Sequence, residues 1–486
     1  MNDVVQTDVV VVGGGVSGLV AARKMMRAGL EVVVLEARDR VGGRTQSVKR
    51  AGGALDLGGT WIGPRQTHIK ALVDELGLKT HKQHASGRKL LLRDGRLRSY
   101  WGPMPLFSPG AMLDIAINNF RIDRFAATIP VESPWLANRA REWDGLTLEQ
   151  WMADHVRTDS GRFLFGNIAR AVLAAEPSQI SFLYFLNYIR LGHNVRETAA
   201  TAGGAQDERL VDGMQSVSLK LAEELGHRVR LGAPVERVDQ SESGVVIHSA
   251  KGSFSARYAM ISVPPNLVDR IQFSTPLPRG RVVASKMPMG SCIKYIATYD
   301  RPFWRDRGLS GDAMSDGGTV LTVMDQCTAG AETPALVAFA VGDVAARWAL
   351  RSPDERRRAV QEELARLFGP EAGEPLTFHE KNWLAEDYSG GCYIAVPRPG
   401  DLTAMGDALS APCGRIHWAG SETATVWQGV DGAVQSGYRA AHEILKRSAT
   451  EAPHVDQPTL RRGLRQAGRD DVQHPRHPAD HGRLHR

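Results

Sequence analysis

Three glycines near the N-terminus are spaced to bring backbone N–H groups up to a phosphate. Gly13, Gly15 and Gly18 form the pattern GxGxxG, in which small residues allow a tight turn and a close backbone approach. Glu36 follows at the spacing where a carboxylate accepts hydrogen bonds from ribose hydroxyl groups. This set of residues therefore predicts recognition of a dinucleotide.

The elements around these residues have the order that the motif requires. Residues 9–12 are a β-branched apolar run typical of a buried parallel strand, and residues 17–28 have helical spacing before Gly29. Residues 31–36, EVVVLE, predict a second strand that ends at Glu36. The stretch is thus a βαβ unit, with the pyrophosphate expected at the N-terminus of the helix.

A second group of phosphate-binding residues follows directly. Residues 38–44 read RDRVGGR, and Gly43 and Arg44 would add N–H donors and a cation near phosphate oxygens. GxGxxG followed by ExxxRxGGR resembles the two-dinucleotide-domain flavoproteins of the amine oxidase superfamily. The resemblance implies bound FAD and an α/β, two-domain fold. It combines a Rossmann-like FAD-binding domain of the glutathione-reductase and amine oxidase type with an inserted substrate domain of mixed sheet and helices.

The composition is that of a globular protein and excludes several other classes. The chain has 486 residues, 42% hydrophobic and 23% charged, which is enough for two or three domains. A net charge of +6 does not indicate nucleic acid as a partner. The four cysteines form no CxxC and no metal-ligand cluster is recognisable, so we predict neither a disulfide framework nor a metal site. No signal peptide or membrane span is recognisable either, and we predict a soluble, cytoplasmic protein.

Changes in composition along the chain predict two interleaved domains. Short strands separated by turn residues assign three segments to the FAD-binding domain: residues 1–80, 203–285 and 385–448. Aromatic-rich amphipathic helices and a later alternating strand assign two segments to the substrate-binding domain: residues 81–202 and 286–384. Residues 449–486 are rich in Arg, His and Pro with few apolar residues, and we expect a disordered polar tail there.

The resemblance assigns further cofactor contacts along the chain. LGGTWIG, residues 57–63, is similar to the family segment that runs beside the flavin ring and its ribityl chain. Val235 begins a strand where the family's backbone holds adenine, and Glu422 is placed to accept hydrogen bonds from ribityl or ribose hydroxyl groups. The residues expected to contact FAD are Gly13, Gly15, Ser17, Gly18, Glu36, Arg38, Gly43, Arg44, Gly59, Thr60, Trp61, Val235, Trp383, Cys392, Glu422 and Val430.

Two short segments late in the chain resemble monoamine oxidases in particular. They are KNW at residues 381–383 and SGGCY at residues 389–393. By this resemblance, Cys392 forms a thioether to the 8α carbon of the flavin, which would make the FAD covalently bound. Tyr393 would be one wall of an aromatic cage around the amine, and Trp383 would pack against the flavin. Without the surrounding motif, a cysteine here is more often a small buried hydrophobic residue.

Lys294 lies within an alternating strand, where a lysine is unusual. One explanation is an edge strand from which the lysine extends into solvent. The segment MGSCIKY, residues 289–295, also matches the family lysine that holds a water molecule near flavin N5. The resemblance therefore implies that Lys294 is catalytic, together with Tyr393. A buried positive charge there favours reduction of the ring and helps the transfer of electrons to O2.

The predicted amine site combines Tyr393 with Gln206 and Trp427. Gln206 lies in GGAQDER, where the family has GGQER, so one extra residue stands on each side of the glutamine. The second cage tyrosine of the family motif WxGYM(D/E)GA is missing from residues 427–433, WQGVDGA, which is one residue shorter. Trp427 could provide the second wall, or that side of the cage could be open.

We therefore predict an FAD-dependent amine oxidase of the monoamine oxidase type. A primary monoamine would be oxidised to an imine, which hydrolyses to an aldehyde or ketone plus ammonia, while O2 is reduced to H2O2. A polyamine, diamine or L-amino-acid oxidase would need a further charged residue in the pocket, which the sequence does not locate. A flavin-binding protein without oxidase activity is a more distant alternative. The expected partners are the amine and O2, without nucleic acid or membrane, and family precedent predicts a homodimer.

Overall fold

Two large β-sheets and a layer of helices make up the part of the chain that the computed structural model describes, residues 4–426 and 428–451. In chain order, the strands of these residues are β1 (Val5–Val12), β2 (Val32–Leu35), β3 (Ser47–Arg50), β4 (Gly53–Asp56), β5 (Trp61–Ile62), β6 (Thr80–Lys82), β7 (Arg88–Arg93), β8 (Arg96–Tyr100), β9 (Glu208–Leu210), β10 (Val229–Arg230), β11 (Val235–Gln240), β12 (Val245–Ser249), β13 (Gly252–Ile261), β14 (Gln272–Phe273), β15 (Cys292–Thr298), β16 (Leu309–Ser315), β17 (Thr322–Asp325), β18 (Ala335–Val341), β19 (Thr377–Asn382) and β20 (Ile416–Trp418).

The helices cover the sheets and join their strands. In chain order, the α-helices of the described residues are α1 (Val16–Arg27), α2 (Thr67–Glu75), α3 (Pro109–Ala126), α4 (Ala140–Asp144), α5 (Leu148–His155), α6 (Asp159–Leu173), α7 (Phe182–Leu191), α8 (Val195–Ala199), α9 (Gln215–Leu225), α10 (Arg279–Ser285), α11 (Phe303–Asp306), α12 (Gly342–Ala349), α13 (Pro353–Phe368), α14 (Asp401–Met405) and α15 (Val430–Glu451). Short 3₁₀ helices lie at Pro134–Leu136, Gly226–Arg228, Pro265–Arg270, Ala329–Ala331, Pro370–Gly373, Gly406–Leu409 and Ser421–Thr423.

The first sheet has eight strands and contains the predicted nucleotide-binding unit. Its order is β10-β2-β1-β13-β12-β11-β14, with β20 beside β13. β1 is parallel to both neighbours and places Val9 opposite Val32 and Tyr258. Residues 9–11 are completely buried, as expected for a β-branched run in a central parallel strand. The predicted βαβ unit is confirmed, and its first strand begins earlier than predicted, at Val5.

The second sheet has seven strands and carries Lys294. Its order is β19-β15-β18-β17-β16-β7-β8. β15 is antiparallel to both of its neighbours, which place Lys381 and Phe339 opposite Lys294. Every residue of β15 is buried. Lys294 therefore lies inside the sheet, and the explanation by an exposed edge strand is excluded.

A helical layer packs beside the second sheet around one large apolar cluster. Trp151 on α5 stacks on Phe182 at the start of α7, with ring centroids 4.8 Å apart. Residues 182–189 of α7 are all buried, which is typical of a helix that is apolar nearly all round. α7 thereby directs Tyr188 and, at its C-terminal end, Arg190 towards the cavities described below.

Local hydrogen bonds set the start of the long helix α13. Ser352 and Glu355 form both hydrogen bonds of a capping box at the start of α13. α15 continues to Glu451, so residues 449–451 are helical and not part of a disordered tail. The rest of that predicted tail, residues 452–486, lies outside the described residues. No helix in the described ranges is long and apolar enough to cross a membrane. The assignment of the five segments to two domains stays a prediction.

Candidate active site

An extended cavity is lined by residues of both sheets and of the helical layer. It begins at the C-terminal end of β1 and reaches β15 and α7. The residues predicted from sequence that line this cavity are Gly13, Gly15, Ser17, Glu36, Arg38, Gly43, Arg44, Gly59, Thr60, Trp61, Gln206, Val235, Lys294, Trp383, Cys392, Tyr393 and Val430. Trp427, predicted as a second cage wall, lies outside the described residues.

The glycine turn and Glu36 form one end of the cavity. The backbone N–H of Gly14 donates to Glu36 Oε2 at 2.7 Å, and that of Arg38 donates to Oε1 at 2.9 Å. These two bonds fix the Glu36 carboxylate at the end of β2, where its remaining lone pairs are free to accept hydroxyl groups. A Cβ atom placed on Gly15 would meet no protein atom within 4 Å. The turn is therefore open towards the cavity, as a backbone that approaches a phosphate must be.

Gly18 packs against the carbonyl oxygen of Gly13 and does not line the cavity. A Cβ atom at this position would lie 2.0 Å from the carbonyl oxygen of Gly13. Only glycine allows α1 to pack so closely on the end of β1. The structure thus gives Gly18 a packing role, and its contact with the cofactor stays a prediction.

Arg44 and Glu422 form a buried ion pair beside the cavity. Arg44 Nη1 and Nη2 donate to the two carboxylate oxygens of Glu422 at 2.5 and 2.9 Å, and Nη1 also donates to the carbonyl oxygen of Tyr393. Burial alone would raise the pKa of Glu422, but the attraction and hydrogen bonds of Arg44 outweigh burial and lower it. Arg44 lines the cavity whereas Glu422 does not. Glu422 therefore orients Arg44, and its direct contact with cofactor hydroxyl groups stays a prediction.

Lys294 lies at the other end of the cavity with its ammonium group held by two oxygens. Nζ donates to Thr60 Oγ1 at 2.7 Å and to the carbonyl oxygen of Gly58 at 3.0 Å. It also lies 5.5 Å from the ring centroid of Trp61 and 5.2 Å from that of Phe339. Burial lowers the pKa of Lys294 to about 8. The group can therefore change charge within the pH range of an enzyme assay.

Asp56 is a charged neighbour of Lys294 that the sequence analysis missed. Its Oδ1 accepts hydrogen bonds from Ser47 Oγ at 2.6 Å and from the backbone N–H of Met214 at 2.8 Å. Burial raises the pKa of Asp56 to about 6, while the attraction of Lys294 lowers it. The available signal was an acidic residue between apolar residues in ALDLGG, two positions before the oxygen that binds Lys294.

Cys392, Tyr393 and Trp383 come together beside Lys294. The indole N–H of Trp383 donates to the carbonyl oxygen of Leu57 at 3.0 Å, which fixes its ring in the cavity wall. Burial raises the pKa of the Cys392 thiol to about 12, although Arg44 and Lys294 lower it. The thiol lines the cavity and is 5% exposed.

Aromatic rings surround the space next to Lys294. Phe339 makes an edge contact with Tyr393, with centroids 6.4 Å apart and an angle of 82°, and its ring centroid lies 5.9 Å from that of Trp61. Tyr188 and Gln206 also line this end. Phe339 and Tyr188 were missed because they lie in ordinary apolar runs of a strand and a helix, which give no separate functional signal.

Comparison with known proteins identifies the family. The model of the flavin-containing amine oxidoreductase family matches residues 16–445. The chain belongs to this family. A probable flavin-containing monoamine oxidase A of Dictyostelium discoideum is 40% identical over 442 residues, which cover 90% of this chain and 97% of that relative.

Two solved structures of flavin amine oxidases have the same overall fold. Wild-type putrescine oxidase bound to putrescine has a TM-score of 0.86 at 34% identity and covers 92% of this chain and 100% of its own. Cyclohexylamine oxidase from Brevibacterium oxydans IH-35A has a TM-score of 0.87 at 30% identity and covers 91% and 99%. This flavin amine oxidase is thus an oxidoreductase that oxidises an amine with FAD and passes the electrons to O2.

The cavity of this flavin amine oxidase fits FAD on the chemistry of its own residues. The open turn at Gly15 and the fixed carboxylate of Glu36 suit a pyrophosphate and a ribose, as described above. Apolar and aromatic walls continue from there to Trp383 and Tyr393, where a flat ring system would be buried. The residues that would hold FAD therefore follow one another along a continuous wall.

Proposed function

We propose that this flavin amine oxidase acts on a primary monoamine and holds its FAD through Cys392. The proposal of a monoamine substrate rests on the wall beside Lys294, which is formed by Trp61, Phe339 and Tyr393. Among the described residues that line the cavity, Glu36 is the one carboxylate, and it belongs to the nucleotide end. Asp56 near Lys294 does not line the cavity, so a second ammonium group at this end would meet no carboxylate on the described part of the cavity wall, and burying an unpaired charge is costly.

The side chains around this space bind and orient the amine. The ring of Tyr393 forms one wall, and its contact with Phe339 holds it in place. The side-chain amide of Gln206 has no hydrogen-bond partner in the described parts of the chain, so it is free to bind the substrate. Lys294 keeps a proton donor at the cavity wall through Thr60 and Gly58. Bound FAD supplies the two-electron acceptor chemistry that no side chain can provide.

Cys392 is proposed as the point of covalent attachment. Its thiol lines the cavity next to Trp383 and Tyr393. Attachment would remove one hydrogen from the Cys392 sulfur and one from the 8α carbon of the flavin, leaving a thioether between them. The two electrons and two protons released pass to O2, the oxidant of the normal reaction, and give H2O2. The step is therefore balanced without any further reagent.

Replacing Cys392 with alanine should release the flavin. When wild-type protein is precipitated with acid, the yellow colour should stay in the pellet, and with Cys392→Ala it should move to the supernatant. Cys292→Ala is a matched control, because Cys292 is also buried and lines the same cavity. Flavin released from wild-type protein would rule out the attachment.

Anaerobic bleaching of the flavin by a panel of amines tests the proposed substrate. The panel contains benzylamine, hexylamine, cyclohexylamine, putrescine, spermidine and a mixture of L-amino acids. We expect rapid bleaching by the monoamines and slow bleaching by the diamine and the polyamine. The similarity to putrescine oxidase favours a diamine as the second candidate, and bleaching by putrescine alone would establish that alternative.

The rate of anaerobic bleaching should rise towards alkaline pH. Only the unprotonated amine has a lone pair to conjugate with the forming imine. Below the pKa of an alkylamine, which is about 10, the second-order rate constant should therefore rise by about tenfold per pH unit. Stopped-flow measurement at low hexylamine concentration gives this constant directly, and a flat profile from about pH 6 to 9 would contradict the proposed binding of neutral amine.

The remaining expectations about the protein's surroundings stay predictions. They are a location in the cytoplasm and a homodimer.

A further inference from the structure

A second cavity lies next to the amine end of the first. It is lined by the loop before α2, the C-terminal end of α7 and the loop around Gly204. Gln66 and Ala205 line both cavities, so the two meet at this wall. On α7, Tyr188 lines the first cavity and Arg190 the second.

The charges around this second cavity are paired except at one position. Its charged and titratable lining residues are Arg65, His68, Arg190, Glu197 and Asp431. Glu197 Oε2 is 2.7 Å from Nε of Arg65. Asp431 accepts a hydrogen bond from a backbone N–H at the start of α2 and lies 3.5 Å from Nδ1 of His68. The guanidinium of Arg190 has neither an ion pair nor a hydrogen-bond partner in the described part of the chain, and its Nε is buried.

Three polar side chains lead from the amine site into the second cavity. Gln206 lines the first cavity, Gln66 lines both, and Arg190 lines the second. The side chains of Gln66 and Gln206 also have no hydrogen-bond partner within residues 4–426 and 428–451, although Gln66 is only 8% exposed. Of these polar groups, Nε of Arg190 is fully buried without a partner in that part of the chain, and buried polar groups of native proteins are nearly always satisfied. A polar ligand that extends along this line would satisfy all three.

We propose that Arg190 binds a carboxylate in the second cavity, and that the substrate is an amine with a carboxylate at its far end. The planar guanidinium fork matches a carboxylate with two parallel hydrogen bonds. A far-end ammonium fits less well, because both carboxylates of this cavity already have partners. The inference rests on the proposed amine oxidation, which fixes the other end of the substrate beside Lys294.

Pairs of substrates with matched chain lengths test this carboxylate site. The pairs are butylamine with ω-aminobutanoate, hexylamine with ω-aminohexanoate, and octylamine with ω-aminooctanoate. For each pair the ratio of kcat/KM, aminocarboxylate to alkylamine, is measured on the flavin-loaded enzyme. At the preferred length, Arg190→Gln should lower this ratio about 10- to 100-fold, because an ionic hydrogen-bonded pair is lost.

Two further variants show whether the effect is specific. Arg190→Lys keeps the positive charge but lacks the planar guanidinium group. The ratio of kcat/KM, aminocarboxylate to alkylamine, should therefore fall less than in Arg190→Gln. Arg196→Gln removes an exposed arginine on the neighbouring helix α8, outside both cavities, and should leave the ratio unchanged. The visible flavin spectrum of each variant reports that the protein is folded and loaded.

Free hexanoate distinguishes a substrate carboxylate from a separate small acid. Hexanoate could change the kinetics with hexylamine in wild type but not in Arg190→Gln, while no aminocarboxylate is preferred over its matched alkylamine. In that case the site binds a separate carboxylate, and the assignment of the substrate is overturned. If hexylamine reduces the flavin but Arg190→Gln changes neither the ratio nor the hexanoate effect, this inference fails and the proposed function stands. If benzylamine or cyclohexylamine reduces the flavin but none of the six matched amines does, this inference alone fails, and if no amine reduces it, both fail.

Discussion

Replacing Lys294 with methionine is expected to slow the reaction of the reduced enzyme with O2 by about 10²- to 10³-fold, the usual cost of removing one preorganised donor. O2 acquires negative charge as it takes up electrons, and by our proposal the Lys294 ammonium at the cavity wall would stabilise that charge. Thr60 and Gly58 hold the ammonium in place before the reaction, so no reorganisation is needed. Stopped-flow mixing of the reduced protein with oxygenated buffer measures this rate.

The pH dependence of the same reaction gives a second readout. Burial lowers the pKa of Lys294 to about 8, so the charge is present below that pH and is lost above it. In wild type the rate with O2 should therefore fall as pH rises through about 8, whereas Lys294→Met should show no such fall. This direction is opposite to that expected for flavin reduction by the amine, so the two half-reactions must be measured separately.

Lys381→Met is the matched control for this experiment. Lys381 faces Lys294 across the pairing of β15 with β19, but it does not line the cavity, and Nζ bonds to Glu386. We expect a rate with O2 close to that of wild type. The melting temperature of Lys294→Met should fall, because Asp56 loses its neighbouring positive charge and the oxygens of Thr60 and Gly58 lose their donor, so rates are compared on folded, flavin-loaded protein. A flavin-loaded Lys294→Met protein that reacts with O2 at the wild-type rate would refute the role of Lys294.

Replacing Arg44 with methionine should destabilise the protein by about 3–5 kcal/mol, the cost of leaving a buried charge without its partner. Glu422 is 5% exposed and both of its carboxylate oxygens bond to Arg44. Urea unfolding of wild type and variant, each measured in the same buffer with saturating FAD, gives the difference in the free energy of unfolding.

The double variant Arg44→Met/Glu422→Met separates stability from cofactor binding. Most of the lost stability should return, because two apolar side chains replace the two buried charges. Incorporation of flavin should be lower than in wild type in both the single and the double variant, since Arg44 lines the cavity and Glu422 does not. A double variant that regains full flavin binding would show that Arg44 acts only through folding.

An exposed ion pair provides the control for these stability measurements. Arg162 and Asp159 on α6 are 3.3 Å apart and largely exposed. Arg162→Ala should change the free energy of unfolding by less than about 1 kcal/mol, since solvent screens such pairs. An equal loss in Arg44→Met and Arg162→Ala would contradict the importance of burial.

The parts of the site that depend on local geometry were predictable from the sequence. A turn that must approach a phosphate needs glycine at fixed spacing, so the residue pattern of GxGxxG and Glu36 was sufficient to locate one end of the cavity. The lysine inside an alternating strand likewise marked Lys294, because a buried charge is rare enough to be a signal.

The parts that depend on contacts between distant segments were not predictable. The partner of Glu422 is Arg44, far away in the chain, and only the folded structure reveals that this pair leaves Glu422 behind the wall. Burial raises the pKa of Asp56, and the segments that bury it are not related by any spacing pattern in the sequence. The second cavity depends on the approach of residues 63–68 to the end of α7, which the pattern of apolar residues does not encode.

The cavity wall draws on segments from Val12 at the end of β1 to Ala433 in α15. A cofactor bound there would contact both sheets and the helical layer at once, and these contacts exist in the native state but not in the unfolded chain. Its binding free energy therefore adds to the stability of every one of these segments together. Without these contacts, local opening along the whole wall should require less free energy. The bound flavin is therefore expected to couple the two sheets and the helical layer so that they unfold together.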